Sequence, residues 1–127
     1  MIVGVFDKDG QAYLFYLDGK GGVDNYSTPG FSAIGSGEGN AMFWLSYRNH
    51  NKSFSVKRSA YHAFEAKVMA ESSPFVNDKL DLLVASRDKW SFVSDALPTP
   101  PEATFTLSDL RAMFETYGPK NTETMGL

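Results

Sequence analysis

"FSAIGSGEGNAMFWLSYRNHN", residues 31–51, runs from a short apolar stretch through a glycine loop into a segment with helical spacing. Strand, glycine loop, helix is the order of a phosphate cradle, so the spacing of the glycines decides between a nucleotide fold and something else. A dinucleotide fingerprint is G-x-G-x-x-G with an acid about 20 residues further on. Here Gly35-Ser36-Gly37-Glu38-Gly39 is G-x-G-x-G, Asn40 stands at the third glycine site, and Ser55 and Val56 occupy the acid's place. Glu38 would meet phosphate with a like charge. The next element reads as another helix, not the parallel strand of a βαβ unit, and no Gly-Lys-Ser/Thr of a P-loop follows. The glycines are therefore expected to form a tight strand-to-helix turn where the helix packs close to the sheet, with Gly35, Gly37 and Gly39 as structural loop residues and no bound cofactor.

Outward from this loop, "IVGVF" (2–6) and "AYLFYL" (12–17) flank the turn "DKDG", in which Asp9-Gly10 suits positive φ, and together read as a β-hairpin. "DGKGG" (18–22) is a second turn, "VDNYSTPG" (23–30) reads as irregular, and "FSAI" (31–34) as a third short strand. One helix is expected from Glu38 to about Asn49, with Met42, Trp44 and Leu45 sharing a face and Glu38 at its positive end. A second runs from about Val56 to Glu71, capped by Ser55, with Val56, Ala60, Ala63, Phe64 and Val68 on one side. "LDLLVA" (80–85) and "WSFV" (90–93) form a second hairpin around "SRDK". Residues 95–103, "DALPTPPEA", read as an extended linker. A third helix follows Thr106, with Asp109 completing a capping box and Leu107, Leu110, Met113, Phe114 and Tyr117 as its apolar stripe. Gly118-Pro119 ends it, the last eight residues are expected to fray, and the helix itself to be peripheral.

The chain's 127 residues make one domain's worth of sequence, and 43% apolar content with ten Phe, six Tyr and two Trp excludes disorder. A net charge of −3, with no basic block denser than Lys52–Arg58, argues against a nucleic-acid surface. No cysteine is present, so disulfides and thiolate metal sites are excluded. The first residues carry no signal-peptide pattern, and no stretch approaches the roughly 18 apolar residues of a membrane span. The expectation is a cytoplasmic, membrane-free chain.

One pattern outweighs the element count. "AYLFYL" is apolar on both alternating faces, Ala12, Leu14 and Tyr16 on one and Tyr13, Phe15 and Leu17 on the other. An antiparallel sheet with one wet face should alternate apolar and polar. This sheet calls for cover on both sides, and the two long helices supply only one.

Chemistry-bearing residues are sparse. His50 and His62 are the sole histidines. His62 and Glu65, three residues apart on one helix, make half a metal site at most, so both histidines read as structural and no metal is expected. Ser36 sits in a turn before a helix, but "AIGSGEG" lacks the G-x-S-x-G spacing of a nucleophile elbow. Tyr47, Arg48 and Asn49 read as a solvated helix end.

Taken together, residues 1–94 resemble the second half of a proteasome-type β subunit. The parts that carry the resemblance are Asp7-Lys8-Asp9-Gly10 after a strand, "LFYLDGKG" (14–21), "AIGSG" (33–37) opening a helix with the small Ala41 near its start, a second long helix, and the strand "LDLLVASRD" (80–88). The resemblance implies an N-terminal-nucleophile hydrolase fold, in which helices sandwich two stacked sheets, and a supporting role for Ser36 beside the nucleophile. The family's nucleophile is the first residue of the mature chain, with its free amino group as base. Met1-Ile2 supplies no such group, and the family's supporting Asp and Lys belong to a first half that has no counterpart here. Where the family has Asp and then Ser-Gly after the second helix, this chain has Ser72-Ser73-Pro74-Phe75-Val76-Asn77, and Val5 stands where the family tends to have Gly. The expected fold class is thus α+β, an antiparallel sheet with two long helices on one face, half of a four-layer αββα sandwich. Its expected divisions are a half domain (1–94), the linker (95–103) and a C-terminal helix and tail (104–127). The expected function is non-catalytic, with a homo-oligomer or a complementary half domain as partner. Two alternatives stand beside it: a threonine-type hydrolase whose nucleophilic half is supplied elsewhere, and an unrelated small α+β binding module.

Overall fold

The computed structural model describes residues 1–94 and 105–119. The linker and tail read from the sequence at 95–103 and 120–127 lie outside the described residues.

The fold is α+β, with two small antiparallel sheets and three helices. The first sheet has the order β1 (Ile2–Phe6), β2 (Ala12–Leu17), β3 (Val23–Asn25), with β2 central. Register pairs Gly4 with Leu14 and Tyr16 with Asp24. Both turns use one device. Asp7 Oδ1 accepts from the amides of Asp9 (2.8 Å) and Gln11 (2.9 Å), and Asp18 Oδ1 from those of Lys20 (2.7 Å) and Gly22 (2.8 Å). The amides of Gly22 and Lys20 hold the Asp18 carboxyl below its ordinary value. Gly10 and Gly21 take the positive φ that these turns require, +82° and +88°.

The third strand is a correction. It forms at 23–25, in the segment read as irregular, and Phe31–Ile34 is not a strand. The edge of β2 that Phe31–Ile34 would have needed is already paired by β3. Beyond β3 the amide of Tyr26 donates to the Leu14 carbonyl (2.8 Å), and the Ser27 hydroxyl accepts from the Leu14 amide (2.9 Å), so that edge is fully used. Phe31 instead sets its ring edge-on to His50, with centroids 5.8 Å apart.

Helices α1 (Glu38–Tyr47) and α2 (Val56–Ala70) pack against each other, and β4 (Asp81–Ala85) pairs with β5 (Trp90–Ser94) in a separate two-stranded sheet. The single sheet expected under two helices is therefore two sheets. The buried core lies to one side of the molecule. Tyr61 and Phe64 of α2, Val93 of β5, Phe105, and Leu107 and Leu110 of α3 (Leu107–Tyr117) form it, with Leu82 and Val84 of β4 packed against them. Helix α3 is thus part of the core, contrary to its expected peripheral place. The reason is its stripe together with a complete capping box, in which Thr106 and Asp109 satisfy each other's backbone amides at 2.8 and 3.1 Å. Leu110 is fully buried, at 0% exposure.

The burial of α2 also departs from the simple stripe. Ala60 and Phe64 are inside, but Val56 and Ala63 are exposed, while Tyr61, His62 and Glu65 are buried. In the first sheet no residue is fully buried on either face. Val5, Phe6, Tyr13 and Val23 are exposed, and a cleft of about 1110 Å³ separates β1 and β2 from α1, α2 and β4. Among the described residues no helix is long and apolar enough to cross a membrane.

Candidate functional site

The glycine loop separates into three roles. Gly35 adopts φ +103°, a left-handed conformation that disfavours side chains. Gly37, at φ −96°, is needed for space: a Cβ there would lie 2.8 Å from Ala70 Cβ and 3.0 Å from Val76 Cγ2. Gly39 opens into free space. The loop therefore lets α1 begin directly against the end of α2, and not against the sheet as the sequence led us to expect. Ser36 lines a groove of about 420 Å³ with Ala41, Lys67 and Asn77. Lys67 Nζ is held by Glu71 Oε1 and the Asn77 carbonyl, both at 2.6 Å. An ammonium so engaged is a poor base for the Ser36 hydroxyl. Asn40 spans from α1 to Ser72 (3.0 Å) and Ser73 (3.3 Å) beyond the end of α2.

A denser polar cluster lies where α1 ends. Arg48 turns inward from the position expected to be solvated. Its Nε and Nη2 donate to the two carboxylate oxygens of Glu65, each at 2.7 Å, and Nη2 also donates to the Tyr117 carbonyl at 2.6 Å. Tyr61 donates to Glu65 Oε2 at 2.6 Å. Glu65 is 0% exposed. Burial pushes its carboxyl upward, but the bonds from Arg48 and Tyr61 outweigh this and hold it below the usual value. The same ion pair raises Arg48. Burial, reinforced by the neighbouring carboxylate, raises the Tyr61 hydroxyl.

Beside it, His50 and His62 bring their Nδ1 atoms to 2.9 Å. One ring donates and the other accepts, so the accepting ring is neutral and the two cannot both be charged. Burial is the main cause that lowers both. His50 and the nearby Arg58 and Arg48 add to it at His62, bringing that ring to about 4. His62 and Glu65 share a helix but turn to different partners, and among the described residues no group of three or more ligating side chains is placed to hold a metal.

These pairs were missed in the sequence: Arg48 caps the end of α1 and His50 lies in the loop between the helices, whereas Glu65 and His62 lie well inside α2, so no local spacing couples them. Of the other residues at the helix end, Tyr47 is exposed and Asn49 takes a positive φ of 50°.

No protein-family model matches the chain, and no curated protein matches it.

Proposed function

We propose that this chain is a non-catalytic half domain of the proteasome-type N-terminal-nucleophile hydrolase kind, whose role is assembly with a second layer, foremost another copy of itself. The observation that carries this reading is the first sheet. Its strands bear large apolar residues on both faces, yet none is fully buried and Val5, Phe6 and Tyr13 are exposed. Fully burying such a side chain stabilises by roughly 1.5–3 kcal/mol, so leaving the set exposed forgoes an amount comparable to a domain's net stability. Helix α3, the other element that might have covered this sheet, is committed to α2.

The face of the second sheet that turns toward the cleft points the same way, since Leu83, Trp90 and Phe92 are exposed there. So does α1, whose Phe43 and Tyr47 stack outward, with ring centroids 6.3 Å apart. Exposed apolar residues gathered on the faces of an element in this way mark interaction surfaces. A hairpin, a glycine loop opening a helix, two antiparallel helices and a second hairpin are also the ingredients of half an αββα sandwich. Ser36 keeps its family position in this reading, as a supporting residue without a nucleophile to support.

Light scattering at micromolar concentration, with a dye that reports exposed apolar surface, tests the reading. A dimer or larger assembly is expected. A monomer that binds no dye and keeps its melting temperature on dilution overturns it. Turnover of a fluorogenic peptide, lost in Ser36→Ala, overturns its non-catalytic part.

A further inference from the structure

A second cavity, of about 420 Å³, opens where the start of α2 meets the end of α3. Its polar lining consists of Ser55, Lys57, Arg58, Arg48, Tyr61 and His62. Every one is a cation, a hydroxyl or an imidazole, and among the described residues no carboxylate lines the cavity. Arg48 is neutralised by Glu65 behind the wall. Lys57 and Arg58 have no ion-pair partner among the described residues. The Arg58 guanidinium lies over the Phe54 ring, 3.8 Å from its centroid, which fixes the plane of the fork and leaves its in-plane N–H groups available. The first turn of α2 holds no acidic residue, so the positive end of the helix is uncompensated and adds to the same field. The opposite wall is apolar, formed by Met113 and the ring of Tyr117.

We infer that this cavity binds a small organic anion, with its phosphate or carboxylate head between Lys57, Arg58 and Ser55 and its apolar body against Met113 and Tyr117. The volume falls within the range of small-ligand sites, about 300–1,000 Å³. The geometry separates the two halves of such a ligand: charge recognition comes from α2, and shape recognition from α3. Ser55 already accepts from the Arg58 amide at 3.2 Å, so its hydroxyl hydrogen is free to be donated to the anion.

Isothermal titration of the full chain with phenyl phosphate tests the site, with benzoate to compare a carboxylate head and phenol as the neutral body. One saturable site is expected for at least one of the two anions, and none for phenol. Lys57→Gln and Arg58→Gln should each weaken binding about tenfold, the loss of one charge-assisted hydrogen bond. Raising the salt concentration should weaken it further. Lys20→Gln, a cation on a distant turn, should leave it unchanged. Both substituted cations are exposed, and circular dichroism establishes that the variants are folded. The inference is overturned if neither anion saturates at millimolar concentration. It is equally overturned if a folded double variant, Lys57→Gln with Arg58→Gln, binds as the unmodified chain does, or if Lys20→Gln weakens binding as much.

Discussion

Gly37 and Gly39 sit two positions apart and predict opposite outcomes. The Cβ of an alanine at position 37 would meet Ala70 at 2.8 Å and Val76 at 3.0 Å, so helix α1 must shift away from α2. Overpacking of this kind costs about 1–3 kcal/mol. At Gly39, in the first turn of α1, nothing lies within 4 Å. Replacing a helical glycine by alanine there stabilises by up to about 1 kcal/mol. Urea unfolding of Gly37→Ala and Gly39→Ala should therefore shift the midpoint in opposite directions. The histidine pair sets a second expectation. Both rings titrate below 6.5 in the folded chain, His62 at about 4, whereas in the unfolded chain they return to their ordinary value. Between those limits the unfolded state binds more protons, so stability present above pH 6.5 is lost as the pH falls toward 4. For His62 the slope approaches about 1.4 kcal/mol per pH unit within this window, and His50 adds in the same direction. Thermal melts across pH 7.5 to 4 should fall over this window, and His62→Phe should flatten the fall. An unchanged profile in a folded His62→Phe would mean that the buried pair does not control it.

Among the elements, α3 shows most clearly what packing adds to pattern. Leu110 is fully buried among α2 and the second hairpin, and Leu→Ala at such a site costs about 2–5 kcal/mol. Thr106→Ala removes the cap and should cost about 1 kcal/mol. Denaturant midpoints of the two variants measure this, and a peripheral helix would leave the Leu110→Ala midpoint in place. The sequence made this helix's cap, stripe and end readable, because those are local signals. Its place in the core was not readable, because Leu110 and Phe64 are far apart in the chain and nothing local couples them. The two hairpins and the start of α2 were legible for the same local reasons. The third strand was not: "VDN" has no strand pattern and pairs because the Asp18 turn sets Val23 opposite Leu17. "FSAI" has the apolar run of a strand but finds β2's edge occupied. At the glycine loop the need for close approach was legible in the G-x-G-x-G spacing, yet its partners, Ala70 and Val76, came only from the packing of α2. The Arg48–Glu65 and His50–His62 pairs join the end of α1 and the loop after it to the interior of α2, and no local pattern carries a contact of that kind.

At the scale of the whole molecule, the off-centre core divides the chain by stability. The second hairpin, α2 and α3 share buried contacts, whereas the first sheet is joined to them across a wide cleft, with Arg87 donating to the Lys8 carbonyl between the two hairpin tips. The free energy needed to open each part should differ accordingly. Backbone amides of β1 and β2 should exchange with solvent well before those in the middle of α2, and a partner that covers the first sheet should slow the former far more than the latter. Uniform exchange across both parts would mean that the molecule opens as one unit. The Asp7 and Asp18 turns make the difference consequential. Together with the strand ladders they hold the three strands in register by bonds within the sheet itself, so the sheet can lift from the helices without losing its own pairing. It would arrive at a partner already formed, and association would then require docking rather than folding.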